Sequence, residues 1–157
     1  MKLYLVRHAH AVSDAEDPAR PLSPKGRGAA QYTARWIRRH AGPDVAEIWH
    51  SPLVRARETA ELFAEGLHLK ARLREVPGLL PEDPPAAMAA ALGRHGDSVM
   101  LVGHEPHLST LAGLLLGATG GGVELKKGAV ACLERIVRGG PWTLLWLVSP
   151  ALVAGDE

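Results

Sequence analysis

The sequence predicts an α/β fold: a three-layer α/β/α arrangement whose mainly parallel sheet is closed by an antiparallel hairpin at the carboxyl end. Three observations carry that prediction. Short apolar runs alternate with longer segments of helical pattern from residue 2 to residue 117, and such alternation builds parallel strands joined by crossover helices. The run "SVMLVGH" (98–104) is the clearest buried strand, apolar on both faces. Two later runs, "GAVACLERIV" and "WTLLWLV", flank the turn-forming "RGGP" and read as a hairpin.

The elements follow in order. "KLYLV" (2–6) is a strand by its β-branched and aromatic content. A polar loop ends in "RPLSPKG", where Ser23 suits an N-cap and Pro24 the first helical position, so a helix runs over 24–40. It turns Ala30, Ala34, Trp36 and Ile37 inward and leaves Arg35, Arg38 and Arg39 mostly solvated. "VAEIW" (45–49) is the second strand, and in "HSPLVRARETAELFAEGL" the same device recurs, with Ser51 as cap and Pro52 opening a helix. A weaker strand lies at 73–76, and "AAMAAAL" (86–92) is helical by propensity. After the strand at 98–104, a helix starts at Pro106 and stops at Gly117. The tail "PALVAGDE" is predicted to be loosely held.

No repeat or linker interrupts the chain, so residues 1–157 read as one domain, long enough to bury roughly 70% of the unfolded surface. Cys132 stands alone in an apolar run, the setting of an inert buried thiol, which points to a reducing compartment. Only four apolar residues separate Lys2 from Arg7, too few for a signal-peptide core, and "LSTLAGLLLGA" is too short to span a bilayer. A cytoplasmic protein without a membrane partner is expected. Eighteen basic against seventeen acidic side chains, scattered rather than striped, argue against nucleic acid. The chain has no Asn, Gln31 as its one Gln, and 12 Pro; this depletion of thermolabile amides recurs in thermophile proteins, though a GC-rich coding bias leaves the same signature.

Ligands of open α/β sheets bind beyond the carboxyl ends of the strands. Three polar signatures follow three predicted parallel strands: "RHAH", "SPLVRAR" and "GHEPH". Arg7, Arg55 and Arg20 offer guanidinium forks that match phosphate oxygens. Positive charge beside His8 disfavours imidazolium and leaves a lone pair for attack, while His104 can donate a hydrogen bond to a phosphoryl oxygen as charge redistributes.

"RHA" at the end of the first strand, the Arg in "SPLVRARET" and the late "GHEP" together resemble the histidine phosphatase superfamily, with its phosphoglycerate mutase-like fold. The resemblance spans residues 2 to about 112. It implies that His8 is a phosphorylated nucleophile, Arg7 and Arg55 are phosphate clamps, and His104 is the second catalytic histidine. Length, "RPLSPKG" and the lack of a long covering insertion make the chain similar to the small SixA-type phosphohistidine phosphatases, with Arg20 as an extra phosphate contact. The implied activity is a cofactor-independent phosphatase acting on protein-borne phosphohistidine, with small phosphomonoesters as the alternative substrates. A mutase, which must shelter its phosphoenzyme from water, fits less well.

Two features depart from the family. Ala9 replaces the usual Gly of "RHG", which matters if that position needs a positive φ. The family's proton donor has no single counterpart here, because "EVPGLLPED" offers Glu75, Glu82 and Asp83. An imidazole leaving group can depart neutral, so a strong general acid is less necessary. Readings from other classes are a metallohydrolase built on the HxH of His8 and His10 with Asp14, His104 or His107, and a noncatalytic phosphate-binding module. Arg7 and Arg55 would crowd a metal cation, and a binding module could dispense with both histidines. His107, just inside a helix start, reads as a solvated or capping residue. The glycines of "TGGGVELKKG" follow a helix and precede a strand, the reverse of a P-loop.

Overall fold

The structure, a computed structural model, describes residues 1–118 and 121–156. Its elements are β1 (Lys2–Arg7), α1 (Pro24–His40), β2 (Glu47–His50), α2 (Val54–Gly66), β3 (Arg72–Glu75), α3 (Pro85–Arg94), β4 (Val99–Gly103), α4 (His107–Leu116), β5 (Val130–Arg135), β6 (Trp142–Val148) and α5 (Pro150–Val153). They build one six-stranded sheet in the order β3-β2-β4-β1-β5-β6. The four strands β3, β2, β4 and β1 run parallel, and β5 and β6 complete the sheet antiparallel, as the alternation and the terminal hairpin predict.

Strand alternation sorts the core into two layers. Tyr4, Val6, Ile48, Met100, Val102, Val130 and Cys132 face α1 and α2, whereas Leu3, Leu5, Trp49, Val99, Leu101, Ala131 and Leu133 face α3 and α4. The central strands β1 and β4 are therefore covered on both sides, which explains their unbroken apolar runs. Each fully buried Leu, Ile or Val among them contributes about 1.5–3 kcal/mol relative to exposure.

Ser23 caps α1 as expected, its hydroxyl accepting the Gly26 amide at 3.0 Å. Gly26 is there for space: a Cβ would lie 2.0 Å from the His10 carbonyl oxygen, so the first turn of α1 rests directly on the loop after β1. Gly66 has a similar task, since its Cβ would meet that of Ala34 at 2.6 Å where α2 crosses α1. Gly117 ends α4 at φ 74, the left-handed cap its position predicts. Helix α4 begins one residue later than expected, with Pro106 at the N-cap and the Glu105 carboxylate accepting the Ser109 amide at 2.9 Å.

The tail is not loose. Residues 150–153 form α5, a 3₁₀ turn continues over 154–156, and both pack on α1 with Val153 buried. Pro150 favours the helix start, and its carbonyl accepts the Tyr32 hydroxyl at 3.4 Å. Glu157, and Thr119 and Gly120 of the glycine run, lie outside the described residues. Among the described residues no helix is long and apolar enough to cross a membrane.

Candidate active site

Sheet register brings the polar signatures together. Arg7 of β1 pairs with Gly103 of β4, and His50 of β2 pairs with Val102. The chain therefore leaves the three strands at neighbouring positions, and the pairing carries one step further: the His8 amide donates to Gly103 O at 3.0 Å and the Ser51 amide to Val102 O at 3.3 Å. His8, Ser51 and His104 consequently stand side by side at the carboxyl edge of the sheet. The two imidazole centroids are 5.1 Å apart.

His8 is buried, and its Nδ1 lies 2.7 Å from the carbonyl oxygen of Ala9. A ring nitrogen facing a carbonyl must carry the proton, which leaves the lone pair on Nε2. The imidazole is held neutral, lowered to about 4 from the ordinary 6.5, first by burial and then by Arg55, Arg7 and Lys127, against the opposing pull of the Ala9 carbonyl. Sequence reasoning named the arginine charges; withdrawal from water is the larger cause.

His104 is lowered further, to about 3, by burial first and then by His8, Arg55, His107 and Arg7. Its Nε2 lies 2.6 Å from the buried Ser51 hydroxyl. That hydroxyl also accepts the Leu53 amide at 3.3 Å and keeps one proton of its own, which it can donate to Nε2 when the imidazole proton is on Nδ1. In that tautomer Nδ1 is a buried N–H, and it has no protein partner among the described residues. Ser51 is thus a functional candidate that the sequence disguised. It does not cap α2, which begins at Val54 behind Leu53 with no side-chain cap, because its hydroxyl is committed to His104.

The arginines come from two elements. Arg7 is anchored by Nη1 donating to Leu125 O at 2.9 Å, and its Nε is buried with no partner among the described residues. Arg55, in the first turn of α2, likewise has a buried Nε with no partner among the described residues. The buried, unpartnered nitrogens of Arg7, Arg55 and His104 belong to the three residues whose charge or ring lies close to His8, and as N–H donors they suit an oxyanion. Burial and then the charge of Arg20 lower the Arg55 value, but a guanidinium stays protonated. Thr59, one turn beyond Arg55, ties this helix to the His8 loop: its hydroxyl donates to Arg55 O at 2.7 Å and accepts the Ala9 amide at 3.1 Å.

Arg20 sits at the rim, close enough for its charge to act on Arg55. Its Nε donates to Val12 O at 3.1 Å and lies 3.3 Å from the Asp14 carboxylate. The backbone there adopts φ 49, a left-handed conformation that costs a non-glycine residue about 1–2 kcal/mol. Ala9 has no such strain: it is absent from the positive-φ positions and fully buried, so the loop does not need the family's glycine.

The remaining candidates separate from this cluster. His10 Nδ1 lies 2.7 Å from Ser23 Oγ. Among the described residues no group of three His, Cys, Asp or Glu is arranged to hold a metal ion. His107 is buried rather than solvated, and burial lowers its pKa against the opposing pull of Asp83 and the Gly78 backbone. Glu75 and Glu82 are exposed, and Asp83 accepts the Leu80 amide at 2.9 Å. The carboxylate whose charge reaches Arg55 is Asp14. Burial pushes the Cys132 thiol up to about 11, in keeping with an inert core residue.

The profile of the histidine phosphatase superfamily (branch 1) matches residues 3–79, which include "RHA" and "SPLVRARET". An uncharacterized protein of Picosynechococcus is 35% identical over 85% of this chain and 85% of its own. The phosphohistidine phosphatase SixA of Escherichia coli is 29% identical over 68% of each chain. A solved structure of the protein histidine phosphatase SixA with tungstate superimposes with a TM-score of 0.86 at 24% identity, covering 98% of this chain and 99% of that one.

Proposed function

Because this chain belongs to the histidine phosphatase superfamily, we propose that it is a phosphatase that removes phosphate from protein-borne phosphohistidine through a phosphorylated His8. The observation that carries the reading is the neutral His8 imidazole, its Nε2 free, set among the unpartnered N–H groups of Arg7, Arg55 and His104. The 29% identity to a phosphohistidine phosphatase supports the choice of substrate.

In the first step the His8 Nε2 lone pair attacks phosphorus in line. The P–N bond to the substrate imidazole breaks, and that imidazole leaves neutral because its other nitrogen keeps a proton. Arg7 and Arg55 hold the equatorial oxygens, with Arg20 at the rim as a further contact, and His104 Nδ1–H donates to a phosphoryl oxygen. The bond from His8 Nδ1–H to Ala9 O stabilises the positive charge of the phosphorylated ring. In the second step water attacks phosphorus, the P–Nε2 bond breaks, the water proton leaves to solvent, and neutral His8 returns. No metal or cofactor enters either step.

Small phosphomonoesters are the second reading, favoured by the ligand-sized groove beside Arg7. A panel of phosphohistidine proteins and small phosphate esters separates the two by kcat/KM. Phosphohistidine is expected to be preferred at least ~10-fold, corresponding to about 1.4 kcal/mol, with both activities lost in His8→Ala. Preference for esters overturns the substrate assignment.

A further inference from the structure

We propose that the groove beside Arg7 binds a second anion of the substrate, a carboxylate on a short apolar stem; this rests on the phosphatase reading and extends it to substrate choice. The groove is about 550 Å³, the size of a small-ligand site, and Arg7 forms part of its wall. Arg7 is the residue that the groove has in common with the cluster around His8, so a group bound there can belong to the same substrate molecule as a phosphoryl group on His8.

The lining is of one sign. Lys25 enters from the first turn of α1, and Lys126 and Lys127 from the loop before β5; among the described residues no acidic side chain lines the groove. Lys126 is already paired with Glu124 at 2.7 Å. Lys25 and Lys127 form no ion pair among the described residues, so their charge is available to a ligand. Tyr32 and Pro150 supply apolar surface opposite them. The wall is tied into the fold, since the Tyr32 hydroxyl donates to Pro150 O and Val153 of the same short helix is buried. Cations around an apolar floor select an anion on an apolar stem over a neutral group of the same shape.

The carboxylate has two sources, an acidic side chain beside the phosphohistidine of a protein or the carboxylate of a small ester. Two matched pairs distinguish them: phosphohistidine peptides with Glu or Gln next to the phosphorylated residue, and 4-(carboxymethyl)phenyl phosphate against 4-ethylphenyl phosphate. In wild type, the acidic member of at least one pair is preferred about 10-fold in kcat/KM, chiefly through KM, and the preference shrinks as salt rises. In the double variant Lys25→Gln, Lys127→Gln it falls to within about twofold. The pair that responds names the source. Calorimetric affinities of the same pairs for His8→Ala give the comparison without turnover, so it survives even if the protein is no phosphatase. Loss of turnover and of phosphoenzyme defeats the phosphatase reading, whereas a preference that is absent, or that persists undiminished in the double variant, overturns the groove's assignment.

Discussion

Replacing His8 by Gln tests the electrostatics of the site through stability rather than activity. In the folded protein the imidazole resists protonation until about pH 4, while in the unfolded chain it accepts a proton near 6.5. Between these values the unfolded state binds more protons, so acid favours unfolding. The stability associated with a neutral His8 is intact above pH 6.5, drains as pH falls, and is lost once pH has passed through about 4. At about 1.4 kcal/mol per pH unit over that interval, the loss is about 3 kcal/mol. Gln occupies similar volume and does not titrate. Urea unfolding of wild type and His8→Gln, measured in steps from pH 7.5 to 4, gives the difference in stability at each pH, in which groups common to both proteins cancel. That difference should move by about 3 kcal/mol in favour of the variant as pH falls. A difference constant to within about 0.5 kcal/mol would refute the claim that burial holds His8 neutral. For His104, lowered to about 3, the corresponding drift should extend to more acid pH.

Ser51→Ala removes the partner of His104 Nε2 and frees the ring to change tautomer; stability should fall by about 1–3 kcal/mol and kcat about 10-fold, measured by urea unfolding and steady-state kinetics. Gly26→Ala drives a Cβ into the His10 carbonyl and should cost about 3 kcal/mol by urea unfolding, whereas Gly28→Ala, in the same helix with open space around it, should gain about 1 kcal/mol. Glu75→Gln and Glu82→Gln, at exposed positions, should each leave kcat on a phosphohistidine substrate within about threefold of wild type; abolition of turnover by both would show that a strong general acid is required.

What could be read in the chain alone follows from how locally each feature is encoded. The sheet was legible because β1 and β4 are buried on both faces and so appear as unbroken apolar runs bordered by polar loops. Arg7, His8 and His104 were legible because a strand end fixes which residues reach the rim. Arg55 separates from its neighbour Arg57 by helix periodicity, with Thr59 on the same side as Arg55, while Arg57 is solvated and faces Glu61 at 3.7 Å. Ser51 was hidden because Ser-Pro before a helix reads as a cap, and its actual partner lies 53 residues away across two strands. The burial of His107 and the docking of α5 also depend on surfaces supplied by distant segments. Ala9 looked like a departure in sequence, yet its acceptability rests on a backbone angle that only the fold defines.

The central claim is that His8 carries the phosphoryl group between substrate and water. Brief incubation with a ³²P-labelled phosphodonor, followed by quench and mapping of the label, tests it most directly. The account predicts a single label on the peptide containing His8, stable to alkali, released by acid, and absent from His8→Ala. Turnover that persists in His8→Ala, or activity abolished by chelators and restored by zinc without any labelled histidine, would contradict it.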